Sequence, residues 1–215
     1  MSSNSSSRNR QTLEPQRDVG RQRVAELMQA AAAVIQERGF DAATMAEIAA
    51  RADAKIGSLY RFFPNKEAVA EALAQRCLEV LQAEYEAIRT RAAGAAPEAV
   101  ADALIDLLVQ LQPQTRAATA LLEQRADWTA VRERFRAQAL AGVKATLTAC
   151  APSLDDAEAE AVAAVVLNNM KTMVHMVRNE APTSPGAPEE LRRMNRLYLA
   201  TRLRSARPSA RGEIW

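Results

Sequence analysis

Two helical segments between residues 44 and 61 are too short to be stable alone, and they restrict the fold more than any other part of the sequence. The stretch TMAEIAAR, residues 44–51, opens with a capping box, because Thr44 is followed three residues later by Glu47. The stretch KIGSLYR, residues 55–61, follows a short turn. Helices below about 12 residues are marginal in water. Both segments must therefore pack against a third helix.

The third helix is predicted directly upstream, over residues 19–38. Its apolar residues follow the i, i+3, i+4, i+7 spacing of a helix; they are Val24, Leu27, Met28, Ala31, Val34 and Ile35. Two short helices that cross sharply and share a core with a third form a helix-turn-helix. Its second short helix can project into a DNA major groove, which is about 12 Å wide.

The remainder of the chain also predicts helices, and the fold class is all-α with about nine of them. Ala, Leu, Glu, Arg and Gln favour helices, and no stretch has the alternation of a strand. Asn65, Asp127, Ser153 and Asp156 are the predicted N-terminal caps. The later helices are expected over residues 66–92, 97–112, 113–125, 127–149, 154–179 and 188–204.

The net charge of +2 conceals a segregation of charge along the chain. Residues 1–66 hold 10 Lys/Arg against 7 Asp/Glu, residues 67–190 hold 11 against 18, and residues 191–215 hold 7 against 1. Basic ends are compatible with a polyanionic partner. Two cysteines in helical patterns suit a reducing compartment, and no apolar run approaches the roughly 20 residues that span a bilayer. We expect a soluble, cytoplasmic protein with no membrane partner.

The run TMAEIAARADAKIGSLYRFFPNKEAV, residues 44–69, resembles the DNA-binding core of the TetR family of one-component transcriptional regulators. The resemblance covers roughly residues 21–75, and the matching positions are Thr44, Ile48, Ala49, Gly57, Leu59, Tyr60, Phe63, Lys66 and Glu67. One departure is Asp53, in a turn position that the family usually fills with Gly. Asp tolerates the left-handed backbone region better than most residues.

The resemblance implies a set of DNA-binding residues. Thr44 would give its hydroxyl and backbone N–H to a phosphate, and Tyr60, Arg61 and Lys66 resemble the family's phosphate clamps. The groove floor would be faced by Lys55, Ile56, Gly57 and Ser58. Lys55 could donate to guanine or only contact a phosphate, and Arg61 could be an ordinary surface charge. A basic arm could follow the backbone or minor groove, or only solubilise the chain; its residues are Arg8, Arg10, Arg17, Arg21 and Arg23.

The resemblance also implies a domain plan. Residues 1–18 would be a disordered basic arm, residues 19–66 the DNA-binding domain, residues 67–206 an effector-binding and dimerisation domain, and residues 207–215 a loose tail. The apolar stripe of the helix over 154–179 is wide enough for a homodimer through the last two helices, or it fills the monomer core. Candidate residues for lining an effector pocket are Cys77, Leu81, Tyr85, Leu108, Leu111, Trp128, Phe135, Asn169, Met170 and Met173.

No catalytic, metal or cofactor site is predicted. His175 is the only histidine, and one His with two distant Cys does not make a zinc site. We therefore expect a non-enzymatic, ligand-responsive DNA-binding regulator. Its partners would be double-stranded operator DNA, a small-molecule effector and a second copy of the chain, and it would be a repressor that the effector releases from a near-palindromic operator. The alternative is a helical small-molecule carrier or interaction protein that retains the helix-turn-helix as a scaffold.

Overall fold

The computed structural model describes residues 13–178 and 184–205. Within these ranges the chain forms nine α-helices and no strand, which confirms the all-α fold class. The helices are α1 (Leu13–Arg38), α2 (Met45–Arg51), α3 (Ile56–Phe62), α4 (Lys66–Ala92), α5 (Pro97–Gln110), α6 (Gln112–Gln124), α7 (Thr129–Cys150), α8 (Asp156–Val177) and α9 (Ala187–Ser205).

The first helix begins earlier than its apolar stripe indicates. We expected a start near residue 19, whereas α1 begins at Leu13. Pro15 lies in the first turn, where a missing backbone N–H costs nothing, so it does not end the helix. Residues 13–18 are therefore helical, contrary to the predicted arm. The rest of that arm and the predicted tail over 207–215 lie outside the described residues.

The predicted caps of two helices were wrong. The N-cap of α7 is Trp128, because the carboxylate of Asp127 is bound instead by Arg125, with Nη2 to Oδ2 at 2.6 Å. The N-cap of α8 is Asp155, whose carboxylate accepts the backbone N–H groups of the two residues that follow Asp156. By contrast, Asn65 does cap α4, accepting from a backbone N–H at 2.8 Å.

The described residues divide into two compact units. The N-terminal unit contains residues up to 75 together with residues 117–124, and the C-terminal unit contains residues 76–116 and those from 125 onward. In the N-terminal unit α2 packs on α1 and α3 on α2. Its fully buried large side chains are Leu27, Ile35, Ile48, Leu59 and Leu121.

In the C-terminal unit α5 is central, because it packs against both α8 and α9. Three acidic side chains of α5, spaced four residues apart, face arginines of α9; the pairs are Asp106 with Arg192, Asp102 with Arg196 and Glu98 with Arg204. The Asp106–Arg192 pair is the least exposed of the three, and Arg192 Nη2 lies 2.8 Å from Asp106 Oδ1. We call these three pairs the α5–α9 ion ladder; the inward side of α9 itself is apolar, with Leu199 and Leu203 fully buried.

Helices α4 and α7 approach each other closely at Gly142. A Cβ atom at this position would lie 2.5 Å from Cγ and 2.9 Å from Cβ of Tyr85. These ring and stem atoms cannot move away as the far end of a flexible side chain can. Glycine is therefore required for the buried Tyr85 ring to pack against α7.

We expect Gly142→Ala to lower the free energy of unfolding by about 1–3 kcal/mol, because overpacking against Tyr85 outweighs the gain in helix propensity. Urea denaturation followed by circular dichroism measures the change. Gly20→Ala is the matched control, because no atom lies within 4 Å of its Cβ position. This control should stabilise by about 0.4–1 kcal/mol. Equal stabilisation by both substitutions would contradict the close approach.

Candidate nucleic-acid interface

The first short helix is fixed at its N-terminus by the predicted capping box. The Thr44 hydroxyl accepts the Glu47 N–H at 3.2 Å, and the Thr44 N–H donates to Glu47 Oε2 at 3.1 Å. The inward side chains Met45, Ile48 and Ala49 are buried. Local hydrogen bonds and one apolar face therefore hold a helix of only seven residues.

The turn between α2 and α3 is a Schellman motif built around a non-glycine residue. The Ala54 N–H donates to Ala49 O at 2.9 Å, and the Asp53 N–H donates to Ala50 O at 3.1 Å. Asp53 has φ of 45°, in the left-handed region. For a residue with a side chain this conformation costs roughly 1–2 kcal/mol. The turn therefore has the geometry that glycine normally supplies, with some strain at Asp53.

The second short helix, α3, buries one side and exposes the other. Leu59 and Phe63 are 1% and 7% exposed, whereas Ile56 and Tyr60 are 45% and 49% exposed. Ser58 is half-buried. The exposed positions form what we call the recognition face; they are Lys55, Ile56, Gly57, Tyr60 and Arg61.

The charge and shape of the recognition face suit duplex DNA. Residues 54–66 contain three cationic side chains and no carboxylate. No atom lies within 4 Å of the Cβ position of Gly57, so the backbone there is open to a close approach. The helix starts one residue later than predicted, which makes Lys55 its N-cap. Arg61 lies over the neighbouring Phe62 ring, 4.8 Å from its centroid, and remains exposed.

Lys66 has a structural role that the sequence did not indicate. Its ammonium donates to the carbonyl oxygens of Phe40 and Asp41 at 2.7 and 2.9 Å, and it lies 4.5 Å from the centroid of the Phe40 ring. These contacts hold the loop between α1 and α2 against the start of α4. Two of the three ammonium donors are thus used within the protein, which leaves one for a phosphate.

Thr44 differs from its predicted role in the same way. Both of its donors, the hydroxyl and the backbone N–H, are directed to Glu47 Oε2, at 2.9 and 3.1 Å. The other carboxylate oxygen, Oε1, lies 3.5 Å from Arg38. The carboxylate of Glu47 therefore occupies the donors that the prediction assigned to a phosphate.

The predicted basic arm is only partly described. Arg8 and Arg10 and the side chain of Arg17 lie outside the described residues. Arg21 is exposed on α1. Arg23 donates to the backbone carbonyls of Ala52 and Asp53, so its guanidinium is engaged within the N-terminal unit.

The ten residues predicted to line an effector pocket belong mostly to the core of the C-terminal unit. Seven are buried: Cys77, Leu81, Tyr85, Leu111, Trp128, Met170 and Met173. Leu108, Phe135 and Asn169 are half-buried, and the Asn169 amide donates to Asn195 between α8 and α9 at 3.2 Å. Burial raises the pKa of the Cys77 thiol to about 12, so this thiol is protonated and inert at neutral pH.

A cleft of about 330 Å³ lies between α4 and α7 of the C-terminal unit. Of the predicted residues only Tyr85 lines it; the other lining residues are Gln82, Glu86, Arg89, Gln138, Ala141, Gly142 and Ala145. Sequence reasoning missed these residues because it looked for an apolar lining. The buried Tyr85 hydroxyl has no hydrogen-bond partner among the described residues, and burial raises its pKa above the ordinary value.

The described residues lack two further features. These residues contain no group of three or more His, Cys, Asp or Glu side chains that could hold a metal ion. In the same ranges no helix has the length and apolarity needed to cross a membrane.

The N-terminal unit matches a known family. Residues 27–73 match the family model of the bacterial regulatory proteins of the tetR family. No curated protein matches the chain. The matched residues include α2, the strained turn and α3, and thus the whole recognition face.

Solved structures with similar folds are described as transcriptional regulators. A TetR-family transcriptional regulator from Streptomyces coelicolor is 27% identical, with a TM-score of 0.55; the match covers 84% of this chain and 99% of that one. SmeT, the repressor of the Stenotrophomonas maltophilia multidrug efflux pump SmeDEF, is 21% identical over 87% and 91% of the two chains, with a TM-score of 0.59. FadR from Bacillus subtilis, solved with stearoyl-CoA, is 14% identical over 83% and 97%, with a TM-score of 0.58.

We expect Lys66→Met to lower the free energy of unfolding by about 1.5–3 kcal/mol, because two charge-assisted bonds to loop carbonyls are lost. Thermal and urea unfolding measure the change. Arg61→Met is the matched control, since Arg61 is exposed and its removal should stay within about 0.5 kcal/mol. If the two substitutions have the same small effect, the ammonium of Lys66 does not hold the loop.

Proposed function

We propose that the protein is a DNA-binding transcriptional repressor that a small-molecule effector releases, because residues 27–73 match the family model of the bacterial regulatory proteins of the tetR family. The single observation that carries the proposal is the recognition face of α3. This face is exposed and cationic, and it is fixed from behind by buried Leu59 and Phe63. A helix exposed in this way can enter a DNA major groove.

We propose distinct roles for residues of the recognition face. Lys55, Ile56 and Gly57 begin α3 and would face the base edges, where a cation recognises guanine and an apolar group contacts the thymine methyl. Tyr60 and Arg61 follow one turn later and would contact phosphates, which sets register and affinity. Ser58 would contribute at the edge of this face, because it is half-buried.

The proposed functional unit is a homodimer through α8 and α9. Four large apolar side chains of these helices are exposed to between 44% and 63% in the single chain; they are Val165, Val177, Met194 and Leu197. A two-fold axis would bury them and would present two recognition helices to half-sites about one helical turn apart. A near-palindromic operator follows from that symmetry.

The effector is proposed to bind in the C-terminal unit, with the cleft between α4 and α7 as the candidate entrance. The repressor SmeT shares this fold, which supports a repressing role, and FadR with stearoyl-CoA shows that a protein of this fold can hold a small molecule. An effector that binds one state of the dimer better than the other lowers DNA affinity by linkage. With DNA as partner, the proposed location is the cytoplasm.

The test is selection of bound duplexes from random DNA, followed by affinity measurements over a salt series with and without candidate effectors. The proposal expects a preferred near-palindrome, with the logarithm of the association constant falling steeply against the logarithm of the salt concentration. A carrier that retains the fold as a scaffold would instead bind an apolar molecule tightly and show no salt-dependent DNA binding. That result would reject the regulator.

We expect Lys55→Ala to relax the preference at one base pair per half-site, at a cost of about 1–3 kcal/mol on the preferred sequence. Tyr60→Ala should weaken binding to all sequences alike, because phosphates carry no sequence information. A gel-shift series over every single-base variant of the selected duplex measures both. The reverse pattern would exclude the assigned roles.

We expect Leu197→Asp to convert the dimer to monomer, because a carboxylate would be buried without a partner in the proposed interface. Sedimentation velocity measures the change. Val19→Asp is the matched control: Val19 is 68% exposed, compared with 63% for Leu197, but lies on α1. If Leu197→Asp leaves the sedimentation coefficient unchanged, the exposed stripe is not the interface.

A further inference from the structure

Arg23 connects α1 directly to the turn that precedes the recognition helix. Its Nη2 donates to Asp53 O at 3.0 Å, and its Nη1 donates to Ala52 O at 3.3 Å. The two carbonyls are 29 and 30 residues away in sequence.

The two carbonyls lie at the end of α2 and in the first residue of the turn that follows it. Ala52 is the C-cap of α2, and the last carbonyls of a helix have no partner within it. The Ala52 carbonyl lies at the negative end of the α2 dipole, which favours a cation. Arg23 supplies both the donors and the charge. It does so at the residue, Asp53, whose backbone is in the left-handed region.

Arg23 is itself held in place on α1. Its Nη1 lies 2.8 Å from Glu26 Oε2, and the other oxygen of Glu26 accepts from Gln22 at 3.1 Å. Both hydrogen bonds lower the pKa of Glu26, and the bond from Arg23 has the larger effect. The guanidinium is therefore oriented toward the turn by a carboxylate that is ionised at neutral pH.

We propose that Arg23 is a positioning residue for DNA recognition: it clamps the strained turn at Asp53 and so fixes the direction in which α3 leaves α2. The proposal rests on the proposed DNA-binding function, since the direction of α3 decides whether Lys55 and Tyr60 reach one groove. It replaces the predicted role of Arg23 as a contact to the DNA backbone.

The two roles of Arg23 differ in their dependence on salt. A side chain that neutralises a phosphate releases a counterion, so its removal lowers the slope of log K against log salt by about one. A side chain that acts through the protein changes affinity at every salt concentration and leaves the slope unchanged. The two roles also differ in their coupling to Asp53, because a glycine there needs no clamp.

The experiment compares Arg23→Met, which keeps the aliphatic stem and removes the donors, with Arg61→Met on the recognition face. Affinity for the selected duplex is measured between about 50 and 200 mM salt. Arg23→Met should weaken binding about tenfold at every salt concentration, and equally on single-base variants of the duplex. Arg61→Met should lower the slope by about one.

A second experiment removes the backbone strain at Asp53: Arg23→Met is made in a chain that also carries Asp53→Gly. There Arg23→Met should cost less than about threefold, because the glycine adopts the turn unaided. A slope that falls by about one with Arg23→Met overturns the proposal, as does an unchanged affinity. An undiminished tenfold loss in the Asp53→Gly background overturns it too.

Amide hydrogen exchange, measured without DNA, tests the role of Arg23 independently of the proposed DNA-binding function. The Ala54 amide, bonded to Ala49 O, should exchange its hydrogen about tenfold faster in Arg23→Met, while the amide of Ile35 in the core of α1 is unchanged. If the wild-type chain binds no duplex, the DNA-binding function fails, yet this exchange rate still tests the clamp. An unchanged rate at Ala54 overturns the proposal.

Discussion

The burial of Leu59 and Phe63 is the contact on which the recognition face depends. A helix of seven residues forms too few internal hydrogen bonds to persist alone. Each buried apolar side chain of this size contributes about 1.5–3 kcal/mol, so tertiary packing supplies what the helix lacks. The same packing sets the rotation of α3 about its axis. With Leu59 turned inward, Ile56 and Tyr60 must face outward.

Features that depend on neighbouring residues could be predicted from the sequence. The capping box at Thr44 and Glu47 and the cap at Asn65 are read from spacing alone, and α4 has its predicted bounds. The left-handed backbone of Asp53 was expected because the family that the run resembles usually has Gly at this turn position. Each signal lies within about four residues of the structure that it specifies.

Features that depend on distant residues could not be predicted. Arg23 and Lys66 reach backbone carbonyls 25 to 30 residues away, and a carbonyl has no sequence signature. Lys66 was assigned to a phosphate and Arg23 to an arm along the DNA backbone or minor groove, because a cation near a DNA-binding motif is compatible with these roles. The pocket candidates stay a prediction for a related reason: an apolar stripe specifies only burial, and Met170 and Met173 are buried. The cleft between α4 and α7 is lined largely by polar and small side chains.

The α5–α9 ion ladder reduces the unpaired positive charge of the basic C-terminal segment. Residues 191–215 hold seven cations against one acid, a composition that would attract a polyanion. In the folded chain Arg192, Arg196 and Arg204 are matched by carboxylates of α5, and Arg202 lies 2.8 Å from Glu158. The positive charge of these four side chains is thereby neutralised locally by acidic neighbours. A polyanion would therefore gain little from these four arginines, because each already has a carboxylate partner within the C-terminal unit.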